Sequence, residues 1–490
     1  MNILLIYPAF PNTFWSFKYA LSFINKKAAH PPLGLITIAA LLPDHWNRKL
    51  VDVNTEKLTA KKIEWADLVF ISGMTVQRKS ATEIIQRCHD MGKKVVVGGP
   101  LFVAEKDDFS EVDHLVLDEA ELTLPEFIRD FENGDAKKEY RAPDFCDIKT
   151  TPVPEWHLLK QRRYASMSIQ FSRGCPYDCD FCNVTALFGH RPRLKAAEQI
   201  VRELDALNDS GWSGPVFFVD DNFIGNRPYL KNHLLPALIE WQKNHENVVF
   251  YTEASINLAD DPELMDMMVK AGFDSVFIGI ESPDECSLTE CHKSQNTNRD
   301  MLESVKTIQR HGLQVSGGFI VGFDSDNLFT FQKQIDFIQK SGIVTAMVGM
   351  LQAMPGTRLF DRMKSENRLK GLVSGDNVDG TTNIIPKMGL ENLVLGYRNL
   401  MKRLYSPRCY YHRVRLFLKE FKAPEITLNV DFNRFLAFFR SCVRLGVLGK
   451  ERFQFWRLML WTIIRRPRLL PLAVTLAIYG YHFRRVARNI

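Results

Sequence analysis

The chain has 490 residues, 46% of them apolar and 24% charged, with a formal net charge of +6. This is the composition of a globular protein of about two to four domains, and it excludes a disordered or collagen-like chain. The charge is uneven: residues 401–490 hold 19 Lys or Arg against 4 Asp or Glu, a balance of +15 that leaves −9 on the first 400. A basic end on an acidic body points to an anionic surface, membrane or nucleic acid. The nine cysteines are odd in number and mostly scattered, which fits a reducing compartment.

The opening Met1-Asn-Ile-Leu-Leu-Ile-Tyr-Pro8 lacks a basic n-region and reads as a first strand, not a signal peptide. Strands are expected at 2–8, 49–54, 66–73, 94–99 and 114–118, with helical patterns between several of them, such as 80–91. Short apolar runs alternating with helices indicate a doubly wound α/β domain over residues 1–135. Ligands of such sheets sit beyond the carboxyl ends of the strands. The candidates there are Tyr7, Asp52, Ser72-Gly73, Gly98-Gly99 and Glu119. Ordinary turn chemistry explains the same residues equally well. No G-x-G-x-x-G follows the first strand, which disfavours a dinucleotide site. Residues 136–163 read as a linker broken by Pro143, Pro152 and Pro154.

The stretch Phe171-Ser-Arg-Gly-Cys-Pro-Tyr-Asp-Cys-Asp-Phe-Cys182 places Cys175, Cys179 and Cys182 in a C-x3-C-x2-C spacing after a strand. Structural zinc favours four ligands in paired C-x2-C spacings. No second pair is present, although His190 could complete a Cys3His set. Three thiolates can hold three corners of a [4Fe–4S] cubane, where a fully protein-ligated cluster takes four. The missing fourth leaves one iron open. This motif resembles that of the radical S-adenosylmethionine (SAM) enzymes, in which the open iron binds the SAM amino and carboxylate groups.

From residue 164 to 384 the βα pattern restarts. Strands are expected at 164–172, 216–221, 248–255, 275–282, 314–322 and 345–354, with helices between them. Six units resemble the partial (β/α)6 radical SAM barrel, with polar or small residues at the strand ends where barrels keep their chemistry. By that resemblance Phe181 packs near the SAM adenine. Asp221, Glu253, Glu281 and Ser282 sit where the family contacts the amino group and ribose. Each carboxylate taken alone reads as a helix cap or a solvated loop residue. Cys286 and Cys291 read as ordinary or substrate-side residues. No side chain stands out as directly catalytic.

Pro31-Pro-Leu-Gly-Leu35, Gly98-Gly99 and Glu119-x-Glu121, ahead of the cysteines, resemble the cobalamin-binding class of radical SAM enzymes. The D-x-H-x-x-G motif that ligates cobalt in some cobalamin proteins is absent, so no identifiable side chain is a lower ligand. With Lys18-Tyr-Ala-Leu21, Thr252–Ala259, Met354-Pro-Gly-Thr357 and Arg466-Pro-Arg468, the whole chain resembles the subgroup that includes the hopanoid C-2 methylases. That resemblance implies a [4Fe–4S] cluster, SAM and cobalamin as cofactors. It also implies a reduced flavodoxin- or ferredoxin-type donor and methylation of an unactivated carbon of a hydrophobic or lipid substrate. The alternatives are radical oxidation, cyclisation or rearrangement without methyl transfer, and a non-enzymatic cluster-containing binding module.

Residues 385–490 read as a helical, basic, aromatic region. The apolar run from Leu469 is about fifteen residues and contains Pro471, short of the roughly 20 that span a bilayer. Flanked by Trp and Arg, it suits an interfacial helix on anionic lipid. A core helix capping the barrel is the other reading. No nucleic-acid partner is expected, because the region is too apolar for a phosphate-binding face. The expected location is cytoplasmic, with peripheral contact on the inner face of the membrane.

Overall fold

In the computed structural model, residues 1–376, 378–422, 432–488 and 490 are described. The first sheet has six parallel strands in the order β2-β1-β3-β4-β5-β6. These are β1 (Asn2–Tyr7), β2 (Asn47–Asp52), β3 (Leu68–Ser72), β4 (Lys94–Gly98), β5 (His114–Val116) and β6 (Glu139–Tyr140). The 2-1-3-4-5 order is doubly wound, and its switch point falls between β1 and β3. Consecutive apolar residues such as Ile3, Leu4, Leu5 and Ile6 are all buried, because helices cover both faces. β6 lies within the stretch that reads as linker; its two residues extend the sheet beyond β5.

The second sheet is also six-stranded and parallel, in the order β14-β13-β12-β11-β10-β7. Its members are β7 (Met167–Ile169), β10 (Val216–Phe218), β11 (Phe250–Ala254), β12 (Phe273–Glu281), β13 (Gln314–Val321) and β14 (Ala346–Met350). Between β7 and β10 a two-stranded antiparallel ribbon, β8 (Ser172–Arg173) with β9 (Arg193–Leu194), brackets the cysteines. The expected strands are all present; most are trimmed at their ends, while β2 and β12 each begin two residues earlier than expected.

The open edge at β14 is covered by the Leu390–Leu404 helix and the residue after it. Tyr397 Oη donates to the Val348 carbonyl at 2.9 Å, and Tyr405 Oη donates to Ala346. Two strand carbonyls that would otherwise invite a foreign strand are thereby satisfied. The Leu470–Val486 helix is core: Phe483 stacks on Phe14 with centroids 4.1 Å apart, and His482 Nε2 lies 2.9 Å from the Phe14 carbonyl. This corrects the interfacial reading of the run from Leu469, which fills its apolar face against Phe14, Tyr405 and Tyr410. Among the described residues no helix is long and apolar enough to cross a membrane.

Candidate functional site

The cysteine loop is fixed from both ends. Asp220, just past β10, accepts from the backbone N–H groups of Phe171 and Ser172 and from the Ser172 hydroxyl, so the chain entering the loop is pinned to the neighbouring strand. Inside the loop, Cys182 N–H donates to the Cys179 carbonyl at 3.1 Å, and Asp180 N–H to the Cys291 carbonyl at 3.1 Å. Arg358 Nη2 and His292 Nδ1 lie 2.8 and 2.9 Å from Asp180 Oδ1. Cys291 is buried beneath the loop and Cys286 is exposed.

Cys175, Cys179 and Cys182 are half-buried. Burial pushes all three thiols up, Cys182 to about 12, and Cys179 adds repulsion to the other two while Lys293 opposes it. Three free thiolates are therefore unfavourable here, as expected of a site completed by a cationic ligand set. Among the described residues no three His, Cys, Asp or Glu side chains converge tightly enough to hold a single metal ion. A cubane spreads its thiolates over separate corners, so the donor chemistry fits a cluster better than mononuclear zinc.

Lys293 was invisible in the sequence. Its Nζ lies 2.8 Å from Glu281 Oε1 and 5.9 Å from the Phe181 ring centroid. Glu281 sits at a register shift in β12 with φ of 62°. A Cβ on Gly279 would come within 2.3 Å of Glu281 Oε1 and 2.9 Å of Lys293 Nζ, so glycine makes room for the pair. Phe181 packs edge-on to Phe323 at 6.5 Å. Ser282 is fully buried, and its hydroxyl accepts from Asp284 N–H at 3.1 Å. Gln295 Nε2 points at Cys179 Sγ from 3.8 Å.

Glu253, at the end of β11, is half-buried and has no hydrogen bond or ion pair among the described residues. Burial, then Asp221 and Asp220, push its carboxyl up to about 8; burial holds Asp221 at about 6 and Asp220 at about 7. Three carboxyls thus share a desolvated corner beside the cysteines, where the Lys293 charge only partly offsets burial and mutual repulsion at Glu253.

In the first domain, the loops after β1 and β3 are preformed. Gln77 is fully buried; its Nε2 donates to the Pro8 carbonyl at 2.6 Å, and its Oε1 accepts from Met74 N–H at 2.9 Å. Tyr7 is half-buried, and burial with the Asp52 charge raises its phenol above the usual range. Nothing comes within 3.6 Å of a Cβ placed on Gly73, so that position stays open. The other small residues serve packing in the sheet: Gly98 abuts the Val116 carbonyl, and Gly99 abuts the Ser72 hydroxyl. Asp52 Oδ2 accepts from Tyr164 Oη at 2.8 Å, joining the domain to the barrel.

Glu119 is engaged elsewhere. Its two oxygens lie 2.9 Å from Arg173 Nη1 and 2.8 Å from Arg193 Nη1, and it also accepts from Cys146 N–H. Glu121 takes Arg173 Nη2 at 2.7 Å. This clamp ties the end of β5 to the ribbon that brackets the cysteines. A second contact repeats the apposition: a Cβ on Gly375 would lie 2.7 Å from Val76 N, so the loop after the Arg358–Ser365 helix that follows β14 rests on the turn after β3. The carboxyl ends of both sheets therefore face one another. An open groove of about 760 Å³ runs along the Arg78–Asp90 helix beside Thr75 and Ser374, but no residue of the cysteine loop lines it.

Family models match this arrangement in order. Residues 23–128 match the B12 binding domain, 169–338 the radical SAM superfamily and 357–490 a domain of unknown function (DUF4070). The hopanoid C-2 methylase of Rhodopseudomonas palustris (strain TIE-1) is 34% identical, over 95% of this chain and 90% of that protein. The chain belongs to the cobalamin-binding radical SAM enzymes. An uncharacterized methyltransferase of Synechocystis sp., sll1242, is 42% identical over 99% of this radical SAM enzyme and 91% of the relative. The solved structure of the cobalamin-dependent radical SAM enzyme OxsB, with aqua-cobalamin and SAM bound, superimposes with a TM-score of 0.64 at 15% identity; it covers all of this chain and 78% of that one. That likeness speaks to the fold. The cofactors of this radical SAM enzyme are accordingly a [4Fe–4S] cluster, SAM and cobalamin.

Proposed function

We propose that the protein is a cobalamin-dependent methyltransferase acting on an unactivated carbon of a hydrophobic, lipid-class substrate. The observation that carries this reading is the apposition of the two sets of strand ends, held by Arg173 and by the Gly375 loop. The hopanoid methylase relative supports the substrate class. When bound, the cluster supplies the electron that breaks the C5′–S bond of SAM, and cobalamin supplies the methyl group.

In this reading Cys175, Cys179 and Cys182 hold three corners of the cluster. Lys293, fixed by Glu281, offsets thiolate charge. Glu253 and Asp221 receive the SAM ammonium, with Phe181 and Ser282 flanking the nucleoside. Tyr7 and Gly73 form the floor for cobalamin, Ser72, Gly98 and Gly99 pack the strand ends that support it, and the Glu119 carboxylate holds that floor to the barrel. Reduction comes from a flavodoxin- or ferredoxin-type protein. The location is cytoplasmic, with the C-terminal region in peripheral contact with the membrane.

Anaerobic reconstitution followed by iron analysis and a cobalamin absorption spectrum tests this directly. Both cofactors should load, and a deuterated SAM methyl group should appear in an extracted lipid. Protein that loads the cluster but no cobalamin would sink methyl transfer and leave radical chemistry without it.

The acidic corner gives a pH signature. A carboxyl raised to about 8 keeps its proton in the folded apo protein, so this group makes stability fall as pH rises from about 4.5 to 8. SAM binding runs the other way: it needs the ionised form and should tighten over the upper part of that range. Glu253→Gln should flatten this dependence and weaken SAM binding about 10- to 100-fold, the ~1.5–3 kcal/mol of a charged hydrogen bond. Equilibrium dialysis against pH reads both effects.

A further inference from the structure

Most of the exposed apolar surface of the C-terminal region lies on a helical hairpin, away from the run expected to be interfacial. One arm is the Phe432–Ser441 helix with its wider-turned continuation, Cys442–Val447; the other is the Arg452–Arg465 helix. Trp456 Nε1 donates to the Gly446 carbonyl at 2.9 Å and locks the arms together. On the first arm Phe435, Phe439, Val443 and Val447 recur every fourth residue, all exposed. On the second, Phe453, Leu460 and Ile464 are exposed at spacings of seven and four, and Leu448 at the turn is 76% exposed. Each stripe keeps one helical period and so forms one face. Soluble monomers rarely leave such a contiguous face uncovered.

Beside the turn lies a pocket of about 320 Å³ lined by Arg444, Leu448, Lys450, Arg484, Arg485 and Arg488, among others. Leu448 belongs to both features. The one acid lining the pocket, Glu451, is paired with the buried Arg484. Among the described residues no carboxylate pairs with Arg444, Lys450, Arg485 or Arg488. The pocket therefore holds surplus positive charge at the end of an apolar face. Together they match a surface with anionic headgroups above hydrocarbon. No described helix is long and apolar enough to cross a membrane.

We propose that this hairpin and pocket seat the protein on anionic phospholipid, with the apolar stripes in the interfacial layer and a lipid phosphate in the basic pocket. The proposal deepens the peripheral contact stated above and rests on that reading. It moves the contact from the buried Leu470–Val486 helix to the hairpin preceding it.

The test uses the full-length, cofactor-loaded protein. It should co-sediment with vesicles of equal parts phosphatidylcholine and phosphatidylglycerol, and far less with phosphatidylcholine alone. Lys450→Gln/Arg485→Gln/Arg488→Gln should weaken partition about fivefold per charge, ~10²-fold in all. Phe439→Ser/Phe453→Ser/Ile464→Ser changes exposed positions and should abolish pelleting with both vesicles. Reductive SAM cleavage should be unchanged in every variant, so failure of the membrane seat is told apart from failure of the enzymatic reading. Wild-type protein that stays in the supernatant, or pellets equally with both vesicles, overturns the proposal. So does a concentration-dependent dimer lost in the serine variant, which would assign the face to a second copy of the chain.

Discussion

Reconstituted Cys179→Ala is expected to release no 5′-deoxyadenosine from SAM above background, a fall of at least ~10²-fold. Loss of an outer partner of a metal site alone costs about 10- to 100-fold, and this change removes a ligand. Cys179 occupies the middle of the motif and couples electrostatically to both other cysteines. Its sulfur makes one long contact, to Gln295, so the cofactor-free fold should melt at an unchanged temperature. Iron content per chain, measured with the cleavage assay, links the two losses. Lys293→Met should be milder, in the 10- to 100-fold range, because the lysine touches Glu281 and lies beside the thiolates without ligating them. Retained cleavage in Cys179→Ala would mean that the cluster is held elsewhere.

Arg173→Met should cost about 3–5 kcal/mol of stability, the usual result of stripping one partner from a buried ionic network. Glu119 and Glu121 are almost fully buried, and the arginine serves both. Burial alone would raise Glu121; the Arg173 hydrogen bonds and charge outweigh it and leave the carboxyl at about 2. Burial likewise opposes Glu119, and Arg193 with Arg173 brings it below its ordinary value. For a lowered acid, the stabilisation is complete above the unfolded value near 4.5 and is lost as pH falls toward about 2. Wild-type stability should therefore drop along that acid limb. In Arg173→Met the buried Glu121 carboxylate loses its cation and favours its proton, while Glu119 keeps Arg193, so stability should rise as pH is lowered from neutral. Denaturant melts at several pH values measure the reversal; a Met variant with the wild-type acid limb would show that the clamp carries no energy.

Much of the architecture is legible because it is local. Cys175, Cys179 and Cys182 lie within one turn-rich loop, and each strand carries its own apolar run and ending. The missed features join residues distant in sequence. Arg173 meets Glu121 across 52 positions, and Lys293 reaches Glu281 past an intervening helix. No spacing rule records such pairs. The C-terminal helices show the same limit from another side. Leu470–Val486 and Arg452–Arg465 both carry apolar faces, and tertiary partners decide which is covered. Tyr410 lies so close to Gly480 that a Cβ there would come within 2.3 Å of its ring, whereas Ile464 is 75% exposed among the described residues.

The stacking of Phe14 on Phe483 sets a schedule for biogenesis. His482 and the Phe14 carbonyl are 468 positions apart in the chain. At about 5–20 residues per second, a ribosome needs on the order of half a minute to a minute and a half to cover that distance. Through that interval Phe14 and Phe23 have no Leu470–Val486 helix to pack against, although the sheet that follows them can already form. Phe14 is covered only once the Leu470–Val486 helix has been made and docks on it.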